Sequence, residues 1–368
     1  MDNGAFEKQS QTVLPLVNDL FGVDASYRHG DRLVLSLSYR YSREKSTRLL
    51  KDRLKLAGYD FILKPGEEVL LLDVDPRRKF RIPRINVVLF VITLFTVYFV
   101  PVFLKNWLSP DALNLPGVLS QTLNDLAHGA GVEFTLAMIS ILFVHEMGHY
   151  LASRRRGIVT SWPYFIPAPN IIGTFGAVIK STTPFWNRRD LIEVGAAGPV
   201  AGWVMALGWL IYGLSQSTVM PLATLNFKDM IMSMEGESIL VRFLTPAIIG
   251  LSAENHFYVF TEAAFAGWVG MLITAINLLP VGQLDGGHIT YGLLRRKQKY
   301  FGWVAMLGLL VLGYQSPMWW FFAAFGFVFG VAHPPTLEDH RPPGRLATTL
   351  GVIALIILLI SFTPVPFR

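Results

Sequence analysis

The sequence predicts an all-α polytopic membrane protein with a small α+β domain at its N-terminus. Apolar residues make up 52% of the chain and charged residues only 16%. Several apolar runs are long enough to cross a bilayer, whereas the first 80 residues are too polar to do so. We therefore divide the chain into an N-terminal domain at 1–80 and a transmembrane domain at 85–368, whose core is expected at 130–300.

Hydrophobic alternation predicts a strand in the N-terminal domain. Leu33, Leu35 and Leu37 alternate with smaller or polar residues, as in a half-buried strand. The other elements expected here are a helix from Gln9 to Phe21, a helix that Ser42 begins, and a hairpin of Phe61–Leu63 with Val69–Val74 around the turn Lys64–Glu67. No catalytic cluster is visible in this domain, which leaves a docking or regulatory role and a folding role open.

The apolar runs predict seven membrane spans, with six as the main alternative. The two short runs surround Gln315-Ser316-Pro317 and form either a hairpin of short helices or one kinked helix. The candidate spans lie at residues 85–104, 132–154, 190–213, 263–285, 301–314, 317–332 and 345–363.

Basic residues cluster at one set of span ends. They occur at 77–84, 154–156, 188–189 and 295–299, whereas the opposite connections carry few. Because positive flanks stay in the cytoplasm, we expect a multi-pass protein of the cell membrane with a cytoplasmic N-terminal domain. The net charge of +6 is explained by these flanks, so no nucleic-acid site is expected.

A metal-binding motif lies inside the second apolar run. His145 and His149 frame the sequence His-Glu-Met-Gly-His. On a helix, side chains four residues apart leave the same face, so both imidazoles can share one metal ion. Glu146 remains free to accept a proton from a water that zinc activates. Ionisable residues at membrane depth are functional candidates, and this pattern predicts a zinc hydrolase.

A zinc site needs a further protein ligand, and the chain contains no cysteine. The favoured donor is Asp285, which the charge rule places at the same membrane depth as the histidines. His288 is the rival ligand. Pro280 and the glycines after Asp285 are expected to break the helix there, which is tolerated where the backbone faces a cavity.

With these two motifs the chain resembles the site-2 protease family of intramembrane zinc metalloproteases. That family combines an HExxH helix with a later Asn-Pro-Asp-Gly segment, here Asn277, Pro280, Asp285 and Gly286. The resemblance implies that His145, His149 and Asp285 bind one zinc ion per chain and that Glu146 is the general base. It covers residues 130–300 and suggests a microbial member related to the plastid homologues.

The segment from Trp162 to Thr183 is apolar but rich in proline and glycine, so a re-entrant loop is expected. A protease must hold its substrate unwound, and a strand edge that includes Phe175, Gly176 and Val178 can do so by strand addition. A loop that only fills space is an equally weighted alternative. Asn277 is predicted to donate to the oxyanion or to the substrate backbone.

The predicted function is zinc-dependent endopeptidase cleavage of membrane-embedded protein substrates within the bilayer, as in regulated intramembrane proteolysis. The alternative is a membrane zinc-binding protein or zinc transporter. Glu146 discriminates between them, because a transporter needs no carboxylate that stands next to the ligands without being one.

Overall fold

In the computed structural model, 65% of the described residues are helical. The described residues are 3–29, 32–57, 59, 61–64, 69–73, 82–109, 112, 114–156, 158, 160–181, 185, 187–221, 236–250, 256–336, 339–340 and 342–366. The chain forms two compact units. The first contains residues 1–83 with 150–162 and 180–186, and the second contains the remainder.

The first unit contains a four-stranded antiparallel sheet in the order β1-β2-β4-β3. Strand β2 carries the predicted alternation, and its Leu33, Leu35 and Leu37 are buried. The turn expected between β3 and β4 lies mostly outside the described residues. The elements are α1 (Asn3–Val17), β1 (Phe21–His29), β2 (Arg32–Tyr39), α2 (Arg43–Leu56), β3 (Phe61–Lys64) and β4 (Val69–Asp73).

The first helix differs from the prediction, which placed it at Gln9–Phe21. Helix α1 ends at Val17, and Phe21 begins β1 instead. The ring of Phe21 packs on that of Tyr39, with centroids 5.0 Å apart, because the two residues face each other across the strand pair. Strand β1 is at the edge of the sheet, so its polar residues are tolerated there and gave no strand signal in the sequence.

The second unit is built mainly from helices. Three of them, α3, α5 and α6, are long and apolar enough to cross a membrane. Its helices are α3 (Arg84–Trp107), α4 (Leu115–Ala127), α5 (Val132–Arg155), α6 (Arg188–Gln216), α7 (Ile239–Ile249), α8 (Glu262–Asn277), α9 (Asp285–Leu294), α10 (Gln298–Leu312), α11 (Met318–Phe329) and α12 (Arg345–Ser361). Its strands are β5 (Tyr164–Pro167), β6 (Thr174–Val178), β7 (Thr218–Pro221) and β8 (His256–Val259).

The structure resolves two questions about the predicted spans. The run 263–285 is a helix only as far as Asn277, and a separate helix begins at Asp285. The two short runs form separate helices, α10 and α11, joined by a turn. The indole Nε1 of Trp320 in α11 donates to the carbonyl of Leu310 in α10 at 3.0 Å, so the hairpin alternative is correct.

Close packing between α6 and α8 forms the centre of the second unit. A Cβ on Gly213 would overlap the backbone of Ala264, and one on Gly267 would overlap that of Leu210. Small residues let the two helix backbones approach, which is the usual way that helices associate in membranes. The buried residues around this contact, including Trp268 at 1% exposure, belong to one large hydrophobic cluster.

The hairpin β5–β6 lies along α3. Asn86 donates to the carbonyl of Pro163 at 2.8 Å, and the rings of Phe90 and Phe165 meet edge to face. At the hairpin tip, a Cβ on Gly173 would lie 2.5 Å from the carbonyl oxygen of Thr96, so only glycine fits. The hairpin therefore enters from the Arg84 end of α3 and turns near the middle of that helix.

Candidate metal centre

The two histidines of the motif lie one turn apart on the buried face of α5. His145 is 5% exposed and His149 is 6% exposed. Their Nε2 atoms are 3.1 Å apart. The α-helical spacing thus brings two donor nitrogens to one point, as the sequence predicts.

Asp285 brings the third donor to the same point. It begins α9 after a loop of residues 278–284. Its Oδ2 lies 3.4 Å from the Nε2 of His145 and 3.3 Å from the Nε2 of His149. The helix is interrupted around Pro280, as predicted, but Gly286 and Gly287, which were also expected to break it, are part of α9. A Cβ on either one would overlap loop carbonyls, so the glycines let the loop fold back over the start of α9.

The spacing of these three atoms fits zinc. Tetrahedral zinc with bonds of about 2.0–2.1 Å separates its ligand atoms by about 3.3–3.4 Å. The three distances observed are 3.1, 3.3 and 3.4 Å. Two imidazole nitrogens and one carboxylate oxygen form a known ligand set for catalytic zinc, with one coordination position left for water or substrate.

A hydrogen bond and close packing against α6 orient the histidine rings. The Nδ1 of His149 is 2.8 Å from the carbonyl of Val194, which can only accept, so Nδ1–H donates and Nε2 is free to bind metal. On α6, a Cβ on Gly198 would overlap the Nε2 of His149. A Cβ on Gly202 would lie 2.9 Å from the Nδ1 of His145. These two glycines therefore pack directly against the imidazole rings.

Glu146 is buried beside the three donor residues and is not one of them. Its side chain is 5% exposed, and within the described structure its Oε2 has no hydrogen-bond partner. A buried carboxylate oxygen without a partner is costly, which is expected where a water or a substrate completes the site. The backbone of Ile179, just after β6, interacts with the same carboxyl group.

Three of the four predicted substrate-binding residues lie on β6, which ends beside Ile179 and Glu146. Phe175 and Val178 of β6 are 64% and 50% exposed. Gly176 has φ +99, and a Cβ there would meet open space. In the described part of the chain, β6 pairs with one strand, β5. Asn277 is the last residue of α8 and is half-buried.

His288 does not join the three donors. Its Nδ1 lies 2.6 Å from the Nε2 of His333. His333 could not be identified from the sequence, because it follows α11 with no motif around it. It lies in the sequence Ala-His-Pro-Pro, which has no pattern that indicates a functional residue.

Two histidines and an aspartate around one point, with an adjacent buried glutamate, define a candidate zinc hydrolase centre. Residues 133–313, which contain all four side chains, match the model of Peptidase family M50. The chain therefore carries a domain of peptidase family M50, the site-2 protease family. The resemblance inferred from the two motifs is confirmed.

Similar proteins are known from plants. The chain is 32% identical to "Probable zinc metalloprotease EGY2, chloroplastic" of Oryza sativa subsp. indica over 284 residues, which is 75% of this chain and 49% of the relative. It is 31% identical to "Probable zinc metalloprotease EGY1, chloroplastic" of Arabidopsis thaliana over 270 residues, 72% of this chain and 48% of the relative. The chain thus spans about half the length of these relatives. No solved structure matches it. The family and the donor set confirm the predicted zinc cofactor.

Proposed function

We propose that this protein is an intramembrane zinc endopeptidase that cleaves transmembrane segments of membrane-anchored proteins. The observation that carries the proposal is the group of three donor atoms 3.1–3.4 Å apart beside a buried, unligated glutamate. The family domain and the zinc metalloprotease names of the relatives support the same activity.

The residues divide into ligands and a base. His145, His149 and Asp285 hold the metal, which when bound acts as a Lewis acid on water and on the scissile carbonyl. Glu146 accepts the proton of the attacking water and delivers it to the leaving amide nitrogen. Because the Glu146 carboxylate is one residue from a ligand, it is close to the reacting atoms without occupying a coordination position.

The substrate is held in extended form along β6. The second edge of this strand pairs with no strand in the described residues, and its end is next to Glu146 through Ile179. Strand addition at this edge keeps the substrate backbone unwound, which exposes the carbonyl that a helix would shield. The exposed side chains of Phe175 and Val178 contact the substrate, Gly176 leaves room for its backbone, and Asn277 donates to its carbonyl.

The membrane arrangement follows from the charged flanks. We place the domain 1–80 and the basic segment 295–299 in the cytoplasm and the 214–262 connection outside, in a cell membrane protein with six or seven spans within 85–368. The β5–β6 hairpin is re-entrant, since it turns near the middle of α3. Cysteine scanning tests this, because the native chain has no cysteine. Cysteines at Lys51 and Lys299, both exposed, should resist an impermeant thiol reagent in intact cells, whereas one at Gln216 should react.

A zinc transporter is the alternative function. A transporter would use the same three ligands to bind zinc during transport. Glu146 would then not be needed, because no bond is cleaved. The burial of this carboxylate next to an exposed strand edge favours proteolysis, because transport requires neither feature.

The decisive experiment compares Glu146→Gln with wild type. The variant keeps size and polarity but removes the base, so zinc should stay bound while cleavage of a tagged single-span substrate falls by at least about 100-fold. Glu133→Gln is the matched control, since Glu133 is exposed at the start of the same helix. Equal cleavage by the Glu146 variant and wild type would show that Glu146 is not the general base.

A further inference from the structure

The helix that begins with Asp285 is contacted along its length by one downstream segment. We name residues 331–336 and 339 the latch. The latch follows α11 and lies beyond residues 133–313, which the family model matches. Different residues contact the loop before α9, the middle of α9 and its C-terminal end.

The first contact fixes the loop 278–284, which leads into Asp285. Gln298 is 1% exposed, and its Nε2 donates to the carbonyls of Pro280 at 2.8 Å and Val331 at 3.0 Å. Its Oε1 accepts from the backbone N–H of His333 at 2.9 Å. The N–H of Gly282 also donates to Val331, at 2.9 Å. One buried amide thus joins the active-site loop to the latch.

The second contact is with the middle of α9. The Nδ1 of His333 faces the carbonyl of Pro334, which only accepts, so Nδ1–H donates to it. The Nε2 of neutral His333 is then an acceptor, and His288 donates to it from Nδ1 at 2.6 Å. His288 is three residues after Asp285, on the next turn of the same helix.

The third contact holds the C-terminal end of α9. Arg295 follows this helix with φ 55, the one positive φ outside glycine in the described chain. A positive φ is strained in a residue that has a side chain, so Arg295 needs support from its surroundings. Its Nε donates to Asp339 at 2.9 Å, and Asp339 also accepts from Thr336 at 3.2 Å.

From these contacts we infer that the latch positions Asp285 for the metal and that Gln298 is the main positioning residue. Asp285 stands at the junction of the loop 278–284 and α9, so its position depends on how that loop and that helix are held. Metal ligands must be placed to within about 0.2 Å. The latch supplies this constraint from outside the helix. The inference rests on the proposed metal site and concerns metal affinity directly.

The test is the zinc affinity of Gln298→Met in the full chain in detergent, measured by competition with a chelator. Methionine preserves the volume and removes three hydrogen bonds. We expect affinity to fall by about 10–100-fold, the range for lost outer-shell partners. Gln315→Met is the matched control, because Gln315 is exposed in the α10–α11 turn, and it should bind as wild type does. An affinity within threefold of wild type for the Gln298 variant overturns the inference.

A double-mutant cycle separates positioning from general destabilisation. If Gln298 acts through Asp285, its substitution should cost no further affinity in an Asp285→Ala background. A loss of the same size in both backgrounds means that Gln298 only supports the fold.

His333→Ala provides a second route if Gln298→Met fails to fold. It removes the partner of His288 and leaves the Gln298 side-chain bonds to Pro280 and Val331. The expected loss of zinc affinity is about tenfold, the lower end of the outer-shell range, and unchanged affinity counts against the latch. Tight zinc binding by wild type without cleavage would refute the proposed proteolysis and leave this inference standing.

Discussion

The two histidines and Asp285 reach the same point by different means. His145 and His149 are placed by the geometry of one continuous helix, α5, and need only the close approach of α6 to fix their rings. Asp285 starts a new helix after a loop, and its position depends on contacts made by residues 298–339. One half of the site is thus determined locally and the other by remote segments. The comparison predicts that the two halves respond differently to substitution.

The largest effect should come from the local half. His149→Ala removes a ligand, and zinc affinity should fall by more than about 100-fold, beyond the range of an outer-shell change. The check is metal analysis after dialysis against a weak chelator. His128→Ala, at an exposed helix end, is the control and should retain zinc. Retention of zinc by the His149 variant would show that the motif is not the metal site.

A glycine on α6 tests how closely the local half is packed. In Gly198→Ala, the new methyl group overlaps the Nε2 of His149, so the ring must turn away and zinc should be lost. Gly208→Ala is the matched control on the same helix, because a Cβ there meets nothing within 4 Å. If both variants hold zinc equally, the ring of His149 does not lie where the structure places it.

A smaller effect on activity is expected when β6 is altered and the metal site is left intact. Val178→Pro removes a backbone N–H at the end of β6. Cleavage of a membrane-embedded substrate should fall by about tenfold, since one hydrogen bond contributes about 1 kcal/mol and the strand is also distorted. Zinc content should not change. Val178→Thr keeps the N–H and should cleave normally, so an active proline variant would favour the alternative that this loop only fills space.

We expect the smallest effect from the ion pair between Asp339 of the latch and Arg295. Burial alone would raise the pKa of Asp339, but its bond and charge interaction with Arg295, together with its other hydrogen bonds, outweigh this and hold the pKa below its usual value. The pair therefore stabilises the fold above about pH 4, and this contribution is lost as the pH falls through the lowered pKa. Because Arg295 is half exposed, the effect is at most about 1 kcal/mol. Asp339→Asn should lower thermal stability slightly at pH 7 and flatten its acid dependence; an unchanged acid profile would contradict this.

The sequence predicts the local half of the site well, because a helical motif fixes its own geometry. His145, Glu146 and His149 could be placed on one buried helix from their spacing alone. Asp285 required the charge rule for membrane depth, and the structure brings its carboxylate to the two histidines. The helix is interrupted around Pro280, as expected, but the glycines after Asp285 are helical and make room for the loop.

The remote half could not be predicted, since nothing in a single sequence links Gln298 to Val331 or His288 to His333. The same limit applies to the fold. Continuous apolar runs located α3, α5 and α6, whereas the short helices α4 and α7 and the edge strand β1 lacked a distinct pattern. In each case the missing information is a tertiary contact, such as that of Phe21 with Tyr39.

The central claim is that His145, His149 and Asp285 together bind zinc while His288 is held away by His333. Anomalous diffraction at the zinc edge from crystals of the zinc-loaded protein tests it most directly. We expect one anomalous peak at about 2.0–2.2 Å from the Nε2 atoms of both motif histidines and from an Asp285 oxygen, with His288 still hydrogen-bonded to His333. A peak bound by His288, or one without contact to Asp285, would contradict it.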